Sequence, residues 1–240
     1  MQNPDSDITR GRRRLMVSAL EEMEKFSPRV LKAMGAIPRH LFVESGLQEF
    51  AYDLSPVAIG AGQTISRPET VALETTLLGV ESGMRILEIG TGCGYQTAVL
   101  YYLGAEVYSI ERQEELWKAA AENLRSAGYA SDETLDPNCI NSRITLLLGD
   151  GYEGWPSKAP FDGIVVTCAS PIMPEKLLLQ LKVNGKMVIP LQMESPNGQG
   201  GKEQQLVVVE RIAEETFKRT IVESANFVAM LPGVEREKND

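Results

Sequence analysis

The residues best placed to do chemistry fall in three stretches. The first runs Met84-Arg85-Ile86-Leu87-Glu88-Ile89-Gly90-Thr91-Gly92-Cys93-Gly94-Tyr95. Its apolar alternation reads as a buried strand. Glycines then recur at every second position, and Tyr95-Gln96-Thr97-Ala98-Val99-Leu100 reads as the first turns of a helix. Strand, glycine turn and helix bring bare backbone amides against a nucleotide-like ligand. The second stretch is Glu106-Val107-Tyr108-Ser109-Ile110-Glu111, a strand whose final acid lies twenty-one positions after Gly90. An acid about 20 residues past such a turn is set to accept hydrogen bonds from ribose hydroxyls. Asp150-Gly151, closing a third strand over residues 143–148, borders the same crevice, where Asp150 can accept from the exocyclic amine of a purine. The third stretch is Ile59-Gly60-Ala61-Gly62-Gln63-Thr64-Ile65-Ser66, a glycine-rich loop able to wrap closely over a ligand. With Glu69, Ser66 also forms the pattern of a capping box, which predicts Ser66 as the N-cap of the next helix. Its hydroxyl then lies where anions are favoured.

The glycine spacing narrows the ligand. A nicotinamide dinucleotide sits on Gly-x-Gly-x-x-Gly. Here the pattern is Glu88-x-Gly90-x-Gly92-x-Gly94, followed by Glu111 and Asp150-Gly151. That suits S-adenosylmethionine better. It has no pyrophosphate to anchor, its ribose wants an acid, and its cationic sulfonium tolerates Glu88 nearby.

The elements that position these groups follow in chain order. Residues 15–34 predict two helices, the second opened by Ser27-Pro28, and these form a cap ahead of the nucleotide unit. His40, the sole histidine, reads as a structural hydrogen-bonder more readily than as a catalytic group. After the cap and loop, strands and helices alternate: a helix to about Leu78, the glycine-turn strand, a helix over 95–103, the Glu111 strand, and a helix over 114–127. A surface insertion over 130–142 precedes the third strand. A fourth strand over 161–167 ends at Cys168-Ala169-Ser170-Pro171, a wall of the crevice. A helix over 174–181, a fifth strand over 186–190 and two last strands over 205–211 and 216–222 complete the chain. This order predicts an α/β doubly wound sheet with its ligand over the carboxyl ends of the first strands. One domain is expected, with a cap and covering loop in 1–66, a cofactor core in 67–192 and C-terminal strands and tail in 193–240.

Composition restricts the partners. A net charge of -9 argues against general nucleic-acid binding. The block Arg10, Arg12, Arg13, Arg14 reads as a solvated helix start. No apolar run approaches membrane-spanning length, and residues 1–14 carry no apolar secretory core. Three cysteines without metal spacing suit a reduced, cytoplasmic protein, and no metal site is expected.

The chain resembles the protein-L-isoaspartate (D-aspartate) O-methyltransferase family. The resemblance rests on Pro38-Arg39-His40-Leu41-Phe42-Val43, on Gly60-Ala61-Gly62-Gln63-Thr64-Ile65-Ser66-x-Pro68 and on Leu87-Glu88-Ile89-Gly90-Thr91-Gly92-x-Gly94-Tyr95. Val107 to Glu111, Gly149-Asp150-Gly151, Gly154-Trp155-Pro156 and Phe161-Asp162 add to it. The element Gln63-Thr64-Ile65-Ser66-x-Pro68 is the specific one, since many methyltransferases share the glycine loop. The resemblance implies the Rossmann-like fold of class I S-adenosylmethionine-dependent methyltransferases. It implies methyl transfer to the free carboxylate of L-isoaspartyl and D-aspartyl residues in damaged proteins and peptides, with repair through a succinimide; a monomer is expected. Ser66 matches the active-site serine; Ile59, Gly60 and Gly62 would cover the cofactor. Glu88, Gly90, Gly92 and Gly94 would cradle it, Glu111 would hold ribose, and Asp150 with Gly151 would hold adenine. A same-fold enzyme for a dedicated peptide, or a protein that binds the cofactor without turnover, are the alternatives. The chain departs from the pattern at Arg67, Glu69 and Thr70 beside Ser66, and at Ala225-Asn226-Phe227-Val228-Ala229.

Overall fold

The computed structural model describes residues 5–129, 143–194 and 201–237. The insertion expected over 130–142 lies outside them. At the centre is a seven-stranded sheet built from β3 (Arg85–Ile89), β4 (Glu106–Glu111), β5 (Ile144–Leu148), β6 (Phe161–Val166), β7 (Leu181–Glu194), β8 (Lys202–Ala213) and β9 (Thr216–Ala225). Its strand order is β5-β4-β3-β6-β7-β8-β9. The strands from β5 through β7 are parallel, and β8 and β9 add an antiparallel edge. The chain builds outward from β3 to β5 on one side, then returns to build β6 and β7 on the other. The reversal point is the carboxyl end of β3, where open α/β sheets bind ligands.

β3 is central and buried on both faces, as parallel strands are. Leu87 and Ile89 join one apolar cluster with Tyr108, Ile110 and Val166. Ile86 faces the other cluster, which contains α1 (Asp7–Glu21), α2 (Pro28–Ala36), α3 (Pro68–Leu78), α4 (Tyr95–Tyr102) and α5 (Glu114–Ser126) residues. Glu88 shares the Ile86 side by strand alternation, so a carboxyl enters this second core.

Several elements differ from the sequence expectation. α1 begins at Asp7 and absorbs the arginine block, because Ser6 caps it, accepting from Thr9 N at 3.2 Å. Arg13 is buried, not solvated, and pairs with Asp5 at 2.7 Å; Arg12 Nη1 donates to Glu49 O. The expected helix over 174–181 shrinks to α6 (Glu175–Leu178), and the fifth strand lengthens to the whole of β7. Val183-Asn184-Gly185 does make a turn, with Asn184 at φ 68°. The turn is an irregularity inside β7, because pairing with β6 resumes on both sides, Phe161 with Leu181 and Gly163 with Lys186. The glycine-rich covering loop is a two-stranded hairpin, β1 (Val57–Gly60) and β2 (Gln63–Ile65). Ala61 at φ 46° and Gly62 at φ 69° give it the left-handed two-residue turn that suits strand twist.

Candidate active site

A cavity of about 910 Å³, counting its open mouth, lies over the carboxyl ends of β3 and β4. Its floor is the glycine loop. Gly90 sits at φ +93°, and a Cβ there would lie 2.4 Å from Thr167 Oγ1, so no other residue fits without displacing β6's end. Thr167 Oγ1 donates to Gly90 O at 2.8 Å and fastens the loop to β6. On the other side Glu111 fastens it to β4. Its carboxylate accepts from Gly92 N at 2.9 Å, Arg112 N at 2.8 Å and Gln113 N at 3.0 Å. A carboxylate offers roughly four acceptor directions. Glu111 therefore keeps about one for a ligand hydroxyl, fewer than the two that both ribose hydroxyls would need.

The hairpin forms the roof. Ile59 Cδ1 comes within 3.4 Å of the position of a Cβ on Gly92, and Gln113 Nε2 donates to Ala61 O at 3.3 Å. Ser66 follows β2 and lines the cavity beside Ile65 and Val71. The capping-box expectation fails here. The N-cap of α3 is Arg67, and no side chain caps the helix. Pro68 at the first turn supplies no N–H and a preset φ, so the helix starts one residue later than the box requires. The Ser66 hydroxyl has no hydrogen bond among the described residues and remains available to a ligand. Its backbone is held instead: Arg39 Nη2 donates to Ser66 O at 2.6 Å and Arg39 Nε to Ala51 O at 2.7 Å. The guanidinium is fully buried and lies over the Tyr95 ring, 4.7 Å from its centroid. His40 is structural, with Nδ1 2.7 Å from the Tyr52 hydroxyl in the buried cap.

Of the sequence-derived site residues, the cavity brings together Ile59, Ser66, Gly90, Gly92, Glu111 and Gly151. Gly60 and Gly62 sit at the hairpin tip, outside the lining. Gly94 lies against Leu124 and Ala120 and starts α4. Asp150 also lies outside: its oxygens accept from Tyr152 N at 2.9 Å and Gly233 N at 2.7 Å, tying the tail to the β5 loop. Glu88 lies beneath the floor. Thr97 Oγ1 donates to it at 2.5 Å, yet burial pushes its pKa up to about 7, and Glu111 adds to the rise. The thiols of Cys93 and Cys168 line the cavity, but burial pushes them up to about 11 and about 12, so neither is a nucleophile near neutrality.

Sequence reasoning missed part of the wall. Val228, Ala229, Met230 and Leu231 close the mouth. They are placed by backbone bonds from Ala169 N to Val228 O and from Met230 N to Ala169 O, then by Glu235 pairing with Arg112 and Gln113. Nothing local in the sequence encodes that return. Glu74 and Gln96 were missed too. Glu74 carried a signal, being an acid on α3 between buried Val71 and Leu78.

A family model described as Protein-L-isoaspartate(D-aspartate) O-methyltransferase (PCMT) matches residues 12–235. The protein-L-isoaspartate O-methyltransferase of Flavobacterium psychrophilum is 40% identical over 227 residues, 95% of this chain and 97% of that one. The enzyme of the same name from Halorhodospira halophila is 44% identical over 230 residues, 95% and 94% of the two chains. Among solved structures, a protein-L-isoaspartate O-methyltransferase superposes with a TM-score of 0.77 at 25% identity, covering 93% of this chain and 67% of that one. A Plasmodium falciparum structure, described as a beta-aspartate methyltransferase in complex with S-adenosyl-L-homocysteine, shares the fold with a TM-score of 0.76 at 21% identity, over 91% and 98%.

Proposed function

The chain belongs to the protein-L-isoaspartate(D-aspartate) O-methyltransferase family, and from that premise we propose how its cavity methylates the free carboxylate of isoaspartyl residues. The cavity fits S-adenosylmethionine. Gly90 and Gly92 line it with bare backbone, Glu111 keeps an acceptor for a ribose hydroxyl, and the hairpin covers the glycine loop. Ile59 and Gly92 would enclose the nucleoside, with Gly151 at its adenine end. Gly60, Gly62, Gly94 and Asp150 would serve the cofactor indirectly, by shaping hairpin, helix start and tail, and Glu88 by sitting under the loop. Bound S-adenosylmethionine supplies a sulfonium methyl open to in-line attack.

The observation that carries the reading is Ser66, a cavity-lining residue whose hydroxyl has no partner among the described residues while Arg39 fixes its backbone. Ser66 Oγ donates to one oxygen of the acceptor carboxylate and leaves the other to attack. An isoaspartyl carboxylate is already ionised at neutral pH, so no general base is required. That agrees with His40 being engaged in the cap. Positioning of two reactants supplies the rate. A backbone amide nitrogen of the product then attacks the ester carbonyl and expels methanol, closing a succinimide whose hydrolysis returns some normal aspartate.

The proposal divides the chain as residues 1–66 for cap and cover, 67–192 for the cofactor core and 193–240 for the C-terminal strands and closing tail. It takes the protein as a cytoplasmic monomer that does not bind nucleic acid, which the net charge of -9 supports. Among the described residues no helix is long and apolar enough to cross a membrane. The test is transfer of methyl-labelled S-adenosylmethionine to an isoaspartyl peptide and its aspartyl twin. Base-labile label on the first alone supports the reading; equal label on both, or none, overturns it.

A further inference from the structure

Glu74 is a cavity residue that the reading above leaves idle. It lies on α3 one turn after Val71, and both line the cavity. It is 1% exposed, and neither carboxyl oxygen has a hydrogen-bond partner among the described residues. Burial pushes its pKa well above the usual carboxylate range, and the Glu88 charge adds to the rise. Such a group costs stability unless something outside the chain satisfies it.

Gln96 supplies a second orphan acceptor. Its Nε2 donates to Thr75 Oγ1 at 2.9 Å, and Thr75 Oγ1 donates its own proton to Val71 O at 2.7 Å. The hydroxyl can therefore only accept from Gln96, which fixes the amide's orientation and leaves Oε1 as an acceptor. That Oε1 is buried and unpartnered, and Gln96 also lines the cavity. Three buried oxygens, on two side chains that line one cavity, thus have no partner from the described residues.

The cofactor has few groups that could satisfy them. A sulfonium carries no N–H or O–H. The ribose hydroxyls belong at Glu111, on the β4 side of β3. Glu74 lies on the other side, since α3 packs on β6 and β7. The ribose and the amino-acid arm leave the sulfur in different directions, so the arm points toward α3 when the ribose is at β4. Its primary ammonium has three donors for three acceptors. Resting on the cofactor reading, we propose that Glu74 and Gln96 form the subsite for the α-ammonium of the cofactor's methionyl arm. Burial favours the protonated form of Glu74 in the empty cavity, so pairing with the ammonium draws the carboxyl proton away to solvent as a charge-assisted pair forms. The titratable groups that face Glu74 are Glu88 of β3 and Cys168 beyond β6, with Glu111 of β4 further along the cavity.

The test compares two nucleosides by calorimetry. S-adenosylhomocysteine carries the ammonium, and 5′-methylthioadenosine lacks the amino-acid end altogether. Glu74→Gln is expected to weaken S-adenosylhomocysteine by about 10–100-fold, the worth of a hydrogen bond to a charged group, and to leave 5′-methylthioadenosine unchanged. Wild type should release a proton on binding S-adenosylhomocysteine, seen as a buffer-dependent enthalpy, and the variant should not. Glu74→Met, which fills the space without an orphan carboxyl, should melt higher than wild type, separating lost binding from lost folding. Equal loss for both nucleosides, or no loss for either, overturns the ammonium subsite. Failure of wild type to bind either nucleoside would instead sink the cofactor reading beneath it.

Discussion

Replacing Glu88 by Gln is expected to change how stability depends on pH, and the size follows from the site. Glu88 is fully buried on the α4 side of β3, with one oxygen held by Thr97 and the other without a partner among the described residues. Burial, helped by the Glu111 charge, outweighs the Thr97 and Ser109 hydroxyls and lifts the pKa from 4.5 to about 7. The sign follows from the two states. Below about pH 4.5 the folded and unfolded forms are both protonated, and the full stability is present. As pH rises the unfolded chain ionises first, so stability is lost up to about pH 7, where the folded form titrates as well. A gap of about 2.5 units at ~1.4 kcal/mol per unit amounts to about 3.5 kcal/mol, of which about 3 kcal/mol is lost above pH 4.5. Gln cannot ionise. Its amide adds a constant cost, because one N–H₂ faces the site of the orphan oxygen, but that cost does not vary with pH. The stability of Glu88→Gln relative to wild type should therefore rise by about 3 kcal/mol between about pH 4.5 and about pH 8. Glu74 adds to the difference in the same direction, because the variant lacks the Glu88 charge that helps hold the Glu74 pKa up. Guanidinium denaturation at a series of pH values reads the difference directly. Parallel curves for the two proteins would refute the reasoning, since they would mean that Glu88 ionises normally in the folded state.

The other expectations concern the frame around the cavity. Gly90→Ala and Gly62→Ala both force alanine into positive φ, costing about 1–2 kcal/mol, but only Gly90 also places its Cβ 2.4 Å from Thr167 Oγ1. The Gly90 variant should melt well below the Gly62 variant and lose S-adenosylhomocysteine binding; equal melting points would contradict the packing. Arg39→Lys cannot reach both Ala51 O and Ser66 O in the geometry of the guanidinium. It should lose about 1.5–3 kcal/mol of stability and reduce kcat, whereas retained kcat would show that Ser66 needs no such anchor. Asp150→Ala frees Tyr152 N and Gly233 N. Amide exchange over residues 228–235 should quicken, and unchanged exchange would mean that the tail is held without Asp150.

What was legible in the sequence was local. The glycine loop, the strand ending in Glu111 and the helix after Pro68 all announce themselves through spacing and period, and Ser66 through the motif around it. The cavity needs more than these. Ser66 read as a cap because Ser-x-x-Glu is a local pattern, while Pro68 and the Arg39 anchor decide otherwise. The hairpin over the glycine loop hides behind three glycine-like residues that read as a loop until their φ values form one turn. β7 read as a short strand because Asn184-Gly185 signals a turn, and a turn inside a strand carries the same local signature. The tail that closes the mouth is held by Ala169, Asp150 and Arg112, partners 59 to 123 positions away; no short window along the chain contains both halves of those bonds.

The central claim is that one cavity holds cofactor at Glu111 and acceptor carboxylate at Ser66. It is tested most directly by measuring kcat on an isoaspartyl peptide and the Kd of S-adenosylhomocysteine for Ser66→Ala and Glu111→Gln side by side. Ser66→Ala should lower kcat by about 10–100-fold, as expected for losing a hydrogen bond to a charged group, with Kd and melting temperature unchanged. Glu111→Gln should raise Kd by a similar factor, through the lost acceptor and the loosened Gly92 contact. If both substitutions moved the same constant, or if Ser66→Ala left kcat intact, the assignment of the two ends of the cavity would be contradicted.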